Sequence, residues 1–100
     1  MSVIETIGHA NFSVTCGIGQ TSYIFRFHTF RKMLYCDVTV NDVKAQSSVR
    51  CVNNAWLVPE RSAVYGNFRI ESDTEDYPTG VEMGKHCRLV FYSQEEMAEI

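Results

Sequence analysis

Apolar and polar residues alternate along most of the first half of the chain, and the alternation is interrupted only by short polar breaks. Over residues 11–16, Phe12, Val14 and Cys16 fall on one side and Ser13 and Thr15 on the other, which is the pattern of a half-buried strand. Residues 17–20, with two glycines, break it. Residues 22–30 place Tyr23, Phe25 and Phe27 on one face and Ile24, Arg26 and His28 on the other. A third run, 33–40, keeps Leu34, Cys36, Val38 and Val40 in one phase. A fourth, 43–52, does the same with Val43, Ala45, Val49 and Cys51.

The breaks set a register. Asn41 and Asp42 both tolerate positive φ, so a two-residue hairpin is predicted there. It places Val40 opposite Val43, Val38 opposite Ala45 and Leu34 opposite Val49, with all the apolar phases on one face. A turn at Arg31 and Lys32 likewise places Phe27 opposite Cys36, Phe25 opposite Val38 and Tyr23 opposite Val40. On the polar face it sets Arg26 against Asp37 and His28 against Tyr35. Neither Arg nor Lys favours positive φ, so this second turn rests on the agreement of phases alone.

Beyond Cys51 the pattern is irregular. Asn53, Asn54 and Pro59 interrupt any strand, and the apolar cluster Trp56, Leu57 and Val58 predicts a loop packed across the sheet end. Residues 67–71 form a short strand. Residues 72–85 form a long acidic loop, rich in turn-forming residues. Residues 86–92 form a last strand with Cys87, Leu89 and Phe91 in one phase, and residues 93–100 make about two helical turns that need outside support. The sum is an all-β fold, a small antiparallel β-sandwich or barrel of about six strands with a long acidic loop and a short C-terminal tail. One hundred residues enclose one core, so residues 1–100 are expected to be a single domain.

Composition narrows the function more by exclusion than by signal. With 45% hydrophobic residues, 12% aromatic residues and a formal charge of −3, the chain is neither disordered nor dominated by one sign of charge. Its nine Lys and Arg are scattered, so no nucleic-acid footprint is expected. No apolar run approaches the roughly 18 residues of a membrane span, and residues 1–10 lack the basic and apolar regions of a signal peptide. Expression and retention in the cytosol, or in something assembled there, is the expectation.

Four cysteines, Cys16, Cys36, Cys51 and Cys87, are the first candidates for chemistry. The nearest two are fifteen residues apart, without the close pairs that zinc sites use. Each shares its phase with core hydrophobes, so buried thiols are favoured over a disulfide. The register above sets Ser47 opposite Cys36, which disfavours a bridge from Cys36 to Cys51. His9, His28 and His86 suggest no fixed triad, and there is no nucleophile elbow. Gly17-Ile18-Gly19 lacks the third glycine and following helix of a phosphate-binding turn, and the acidic run at 73–76 lacks the ligand order of an EF-hand. No catalytic residue, cofactor, metal, small-molecule substrate or membrane partner is expected. The acidic loop is the candidate surface for a protein partner, through Asp73, Glu75, Asp76 and Tyr77. Tyr77, stiffened by Pro78, either anchors that contact or folds back onto the protein's own sheet.

The order of elements from Tyr23 to Tyr92 resembles the baseplate plug family of contractile-tailed phages. The resemblance runs through the meander, Arg50-Cys51-Val52-Asn53-Asn54, the Val58-Pro59 pair and the strand Tyr65-Gly66-Asn67-Phe68-Arg69-Ile70. It ends on Pro78-Thr79-Gly80-Val81-Glu82-Met83-Gly84-Lys85-His86-Cys87-Arg88-Leu89-Val90-Phe91-Tyr92. The chain departs from the family pattern at Ser72, where an acidic residue is common, and at His86, where a more basic or aromatic one is. The resemblance implies a structural virion protein at the centre of the baseplate. It would contact the hub and the tail-tube initiator in multiple copies, without enzymatic activity, and reside in the host cytoplasm before assembly. The reading from another class is a small phage-encoded regulator that binds a host protein. Stoichiometric presence in tails separates the two.

Overall fold

The alternating runs become strands, and the turns between them decide which face each strand buries. The computed structural model describes residues 1–73 and 77–100. Among these are seven strands, β1 (Ser2–Ile4), β2 (Phe12–Ile18), β3 (Thr21–Phe30), β4 (Met33–Val40), β5 (Val43–Arg50), β6 (Gly66–Ser72) and β7 (Cys87–Ser93), followed by helix α1 (Gln94–Ala98). They form two antiparallel sheets, ordered β1-β7-β6 and β2-β3-β4-β5, which are not closed into a barrel. The expected all-β architecture is therefore realised as a pair of sheets, with one strand more than the six anticipated. That strand, β1, is only three residues long and pairs Val3 with Val90, too short to show as alternation.

Tyr23, Phe25 and Phe27 are buried on β3 and face Phe68, Ile70 and Leu89 of the smaller sheet. Phe68 joins the two layers. Its ring lies 4.7 Å from that of Phe25, edge-on, and 5.0 Å from those of Tyr23 and Phe91. Such aromatic pairs contribute about 0.5–1.5 kcal/mol each beyond the area they bury. The turn at Arg31 and Lys32 forms with both residues at positive φ, and β3 and β4 pair in the expected register from Tyr23–Val40 to His28–Tyr35. β2 runs two residues beyond the expected end at Cys16, with the break narrowed to Gly19 and Gln20.

β5 departs from the simple hairpin. Val40 pairs with Val43 as expected, but Val38 lies opposite Gln46, not Ala45, and Cys36 opposite Val49, not Ser47. Two one-residue slips account for this, with Ser48 at positive φ (49°) and its backbone N–H donating to the Asp37 carboxylate at 2.7 Å. One slip would turn every later side chain outward, and a second restores the phase. Val49 and Cys51 therefore point inward again, and β5 ends at Arg50 without reaching Val52. The Cys51 backbone N–H donates to the Leu34 carbonyl at 2.8 Å, which brings Cys51 beside Cys36. Sequence reasoning had kept those two thiols apart. A hydrogen bond with Cys51, and then burial, push the Cys36 thiol well above its ordinary range. Cys36, Cys51 and Cys87 are buried free thiols, and Cys16 is half-buried.

The segment expected to cross the sheet end instead runs along the open edge of β6. The Leu57 N–H donates to the Phe68 carbonyl at 2.9 Å and the Asn54 N–H to the Ile70 carbonyl at 3.0 Å. Gly66 lets this region close up, because a Cβ there would sit 2.0 Å from the Tyr92 carbonyl oxygen and its φ is 143°. Part of the loop predicted over 72–85 is likewise packed. Pro78 and Met83 are buried, and residues 80–82 form a 3-10 turn. Gly80 lies so close to the His9 carbonyl that a Cβ would be 2.3 Å from it, which fastens the N-terminal segment against this turn. α1 gains the support it needs from a capping box, in which the Glu96 N–H donates to Ser93 Oγ at 3.2 Å and the Ser93 N–H to Glu96 Oε1 at 3.0 Å.

Two consequences can be measured. Phe25→Ala or Phe27→Ala should destabilise the fold by about 3–5 kcal/mol in denaturant unfolding, whereas Arg26→Ala, on the exposed face, should change it by less than about 0.5 kcal/mol. Equal, small effects would contradict the face assignment. In native thiol labelling followed by mass analysis, Cys16 should react first and Cys36, Cys51 and Cys87 only on the timescale of opening. Rapid modification of all four would show that the core is not closed around them.

Candidate interaction surface

Strand alternation sends one residue in two to the outside of each sheet, and two outward groups are structured enough to recognise a partner. The first is the predicted loop. Asp73 follows the end of β6, where its N–H donates to the His86 carbonyl at 2.8 Å. Its carboxylate receives a hydrogen bond from Arg88 at 2.7 Å. That bond, together with the charge behind it, holds the Asp73 carboxyl below the usual carboxylate range. Tyr77 is 64% exposed and lies under the guanidinium of Arg50, 4.6 Å from its ring centroid. The ring therefore rests against the end of β5 without being absorbed into the core. Glu75 and Asp76 lie outside the described residues.

The second group escaped sequence reasoning. Because Phe68 and Ile70 point inward, Asn67, Arg69 and Glu71 point outward beside Tyr92 and Arg88. The Arg69 guanidinium sits between two aromatic rings, 5.0 Å from Trp56 and 4.7 Å from Tyr92, and its Nε donates to Glu71 at 3.0 Å. The Tyr92 hydroxyl donates to the same carboxylate. Asn67 is buried and acts as a piece of backbone. Its amide accepts from the Val58 N–H at 2.9 Å and donates to the Val58 carbonyl at 2.7 Å. Trp, Tyr and Arg are the side chains most often found carrying binding energy at protein interfaces. The usable signal was the outward phase shared by Arg69 and Tyr92 on neighbouring strands, which requires a covering group such as Trp56.

His28 stacks on Tyr35, 5.8 Å between centroids, on the outer face of the larger sheet. Among the described residues no three of His, Cys, Asp and Glu come together as a metal site. Among the described residues no helix is long and apolar enough to cross a membrane. What the surface offers is shape, aromatic area and fixed charge, the means of binding another protein.

Comparison with known proteins agrees with that character. No curated protein matches the chain. The family model described as cyanophage baseplate Pam3 plug gp18 matches residues 1–95, nearly the whole length. By that match, the chain belongs to the baseplate plug family of cyanophages, structural components of the virion tail.

Proposed function

We propose that the protein is the central plug of a contractile-tailed phage baseplate, held in several copies against the hub and the base of the tail tube, with no catalytic role. The observation that carries this reading is the family match over residues 1–95. Physical character supports it. A small pair of sheets with outward aromatic and Arg side chains, whose polar groups are engaged in holding shape, suits a part that fills space and is gripped by neighbours. Synthesis in the host cytoplasm precedes its incorporation into the tail.

Asp73, Glu75, Asp76 and Tyr77 form one of the gripped surfaces. Tyr77 supplies the apolar area, presented on the stiff segment that Pro78 begins, and the carboxylates supply a charge that selects a basic neighbour. The test separates binding from folding. Asp73, Glu75 and Asp76 are replaced together by Ser and, in a second variant, Tyr77 by Ala; melting temperature and incorporation into tails are then measured. Each variant should lower incorporation at least tenfold while its melting temperature moves by less than about 4 °C, under about 1 kcal/mol for a chain of this size. Normal incorporation of both variants would overturn the assignment of this surface, and absence of the wild-type chain from purified tails would overturn the plug reading itself.

A further inference from the structure

The two turns of the meander have the same geometry but are built from different residues. Asn41 and Asp42 occupy positive φ at 50° and 66°, which their side-chain types accept readily. At the other turn Arg31 and Lys32 hold the same conformation, φ 51° and 66°, in which such residues are strained. The residues at this turn are therefore not the ones its backbone favours, Asn-Gly being the better fit. They are flanked by Phe30 and Met33, paired across the hairpin and 58% and 41% exposed. The Arg31 guanidinium lies 5.3 Å from the Phe30 ring centroid. Behind the tip, Thr29 donates from its hydroxyl to the Ala10 carbonyl at 2.6 Å and from its N–H to Asn11 Oδ1 at 3.1 Å. The tip is thus a braced projection of two apolar side chains beside two cations.

The opposite pole of the molecule carries the complementary shape. Trp56, Val58, Ala63 and Met97 line a groove of about 360 Å³, with Glu60 and Gln94 among its polar residues. At roughly 30 Å³ per water it displaces about a dozen waters when filled, room for one large aromatic side chain and the stem of a basic one. The 3-10 turn Glu60–Ser62 beside it reaches the start of β3, since Arg61 and Ser62 share a surface depression with Thr21 and Asn41. From Thr21 to Phe30 the strand travels about 30 Å, against a longest molecular dimension of 33 Å. Tip and groove therefore lie at opposite ends. Their charges also oppose. Residues 12–50, which hold the whole larger sheet, carry five cations and two carboxylates, and the rest of the chain carries four cations and ten carboxylates. α1, whose Gln94 and Met97 help line the groove, adds the exposed Glu95, whereas Glu96 is already engaged by the N-terminal ammonium of Met1 and by the Ser93 N–H.

We infer that copies of this chain associate head to tail, the hairpin tip at residues 30–33 of one copy seating in the groove of the next. Phe30 packs between Trp56 and Met97, and Arg31 and Lys32 face Glu60 and Glu95. The contact is heterologous, so each copy uses its tip and its groove at once and the series closes into a ring or continues as a chain. This deepens the plug reading and rests on it for the meaning of the several copies, but the association is a property of the purified protein. One hairpin tip in one groove is small beside a standard interface, so affinity per contact is weak, in the range of about 10 µM to 1 mM.

Sedimentation of the purified chain should show a mass that grows with concentration and falls back as salt rises. Phe30→Ser removes the tip, and Trp56→Ser removes the groove; Glu60→Lys does the latter without touching the Arg69 stack, in case Trp56→Ser fails to fold. Each alone should weaken association at least tenfold. A mixture of a tip variant with a groove variant should give a dimer and nothing larger, because one intact tip meets one intact groove and neither end can be extended. Arg31→Asn with Lys32→Gly should raise the melting temperature and still weaken association at least tenfold. A wild-type chain that stays monomeric up to about 1 mM at low salt would overturn this inference, as would oligomers indifferent to these substitutions or mixtures that show no dimer. If the tip variants lose tail incorporation while the wild type is monomeric, the tip serves a different baseplate protein and the second copy is ruled out as its occupant. In every such case, wild-type incorporation into tails would leave the plug reading standing.

Discussion

Phe68 is the contact on which the rest of the structure depends. Each sheet alone would leave a row of apolar side chains in water, and Phe68 is the ring that meets aromatic partners from both, touching Tyr23 and Phe25 across the core and Phe91 within its own sheet. Strand geometry then spreads the consequence outward. With Phe68 facing in, Asn67 and Arg69 must face out. Asn67 captures both backbone groups of Val58, and Arg69 stacks between Trp56 and Tyr92. The walls of the groove are therefore set by the same residue that joins the sheets, because a slip of β6 by one position would exchange the inner and outer sets together.

The slips in β5 solve a different problem. A flat outer strand of eight residues is an open template for pairing with other chains, and this one is interrupted twice and carries Lys44 and Arg50. Asp37 secures the irregularity by accepting the Ser48 N–H, so the departure from regular pairing is held by a specific bond. Because the slips number two, the inward phase returns in time for Val49 and Cys51. Edge protection is thus obtained without losing the core contacts at the end of the strand. The edge strands of the smaller sheet are managed by length and by cover: β1 is three residues long, and the segment around Leu57 lies along β6.

How much of this was legible in the sequence depended on whether a feature is local. The β3–β4 and β4–β5 turns of the larger sheet were readable because alternation and turn residues lie next to each other in the chain; even the Arg31–Lys32 turn was recoverable, since a two-residue turn there brings the apolar phases on either side to one face. The two slips were not. Val43, Ala45, Val49 and Cys51 keep one odd-numbered phase broken only by Ser47, and that single polar position does not distinguish a regular strand from one that slips twice and returns to phase. β1 and the segment along β6 are stabilised by partners forty or more and ten or more residues away, and leave no periodic trace of their own. The candidate surface divides in the same way. Tyr77 announced itself by its acidic, proline-containing neighbourhood, whereas the Arg69 stack exists only once Trp56 is brought against β6 and Tyr92 pairs beside Asn67.

Rigidity is what these features share. Four of the exposed groups are each held by a second interaction within the chain: the hairpin tip by Thr29 and the N-terminal segment, Trp56 by Arg69, the groove wall by the Asn67 amide, α1 by its capping box. Ordering a long side chain or loop at the moment of contact costs about 0.5–1.5 kcal/mol for each mobile side chain, a sum that a small interface cannot absorb. Fixing those groups in advance removes that cost from the association step. A small protein of modest contact area gains more from this than a large one, because each contact is individually weak and its strength in an assembly comes from making several at once. Those contacts reinforce one another only if their spacing is rigid enough for all to be engaged together. The polar networks on the outside of the smaller sheet therefore have a physical purpose in keeping the spacing of those surfaces constant.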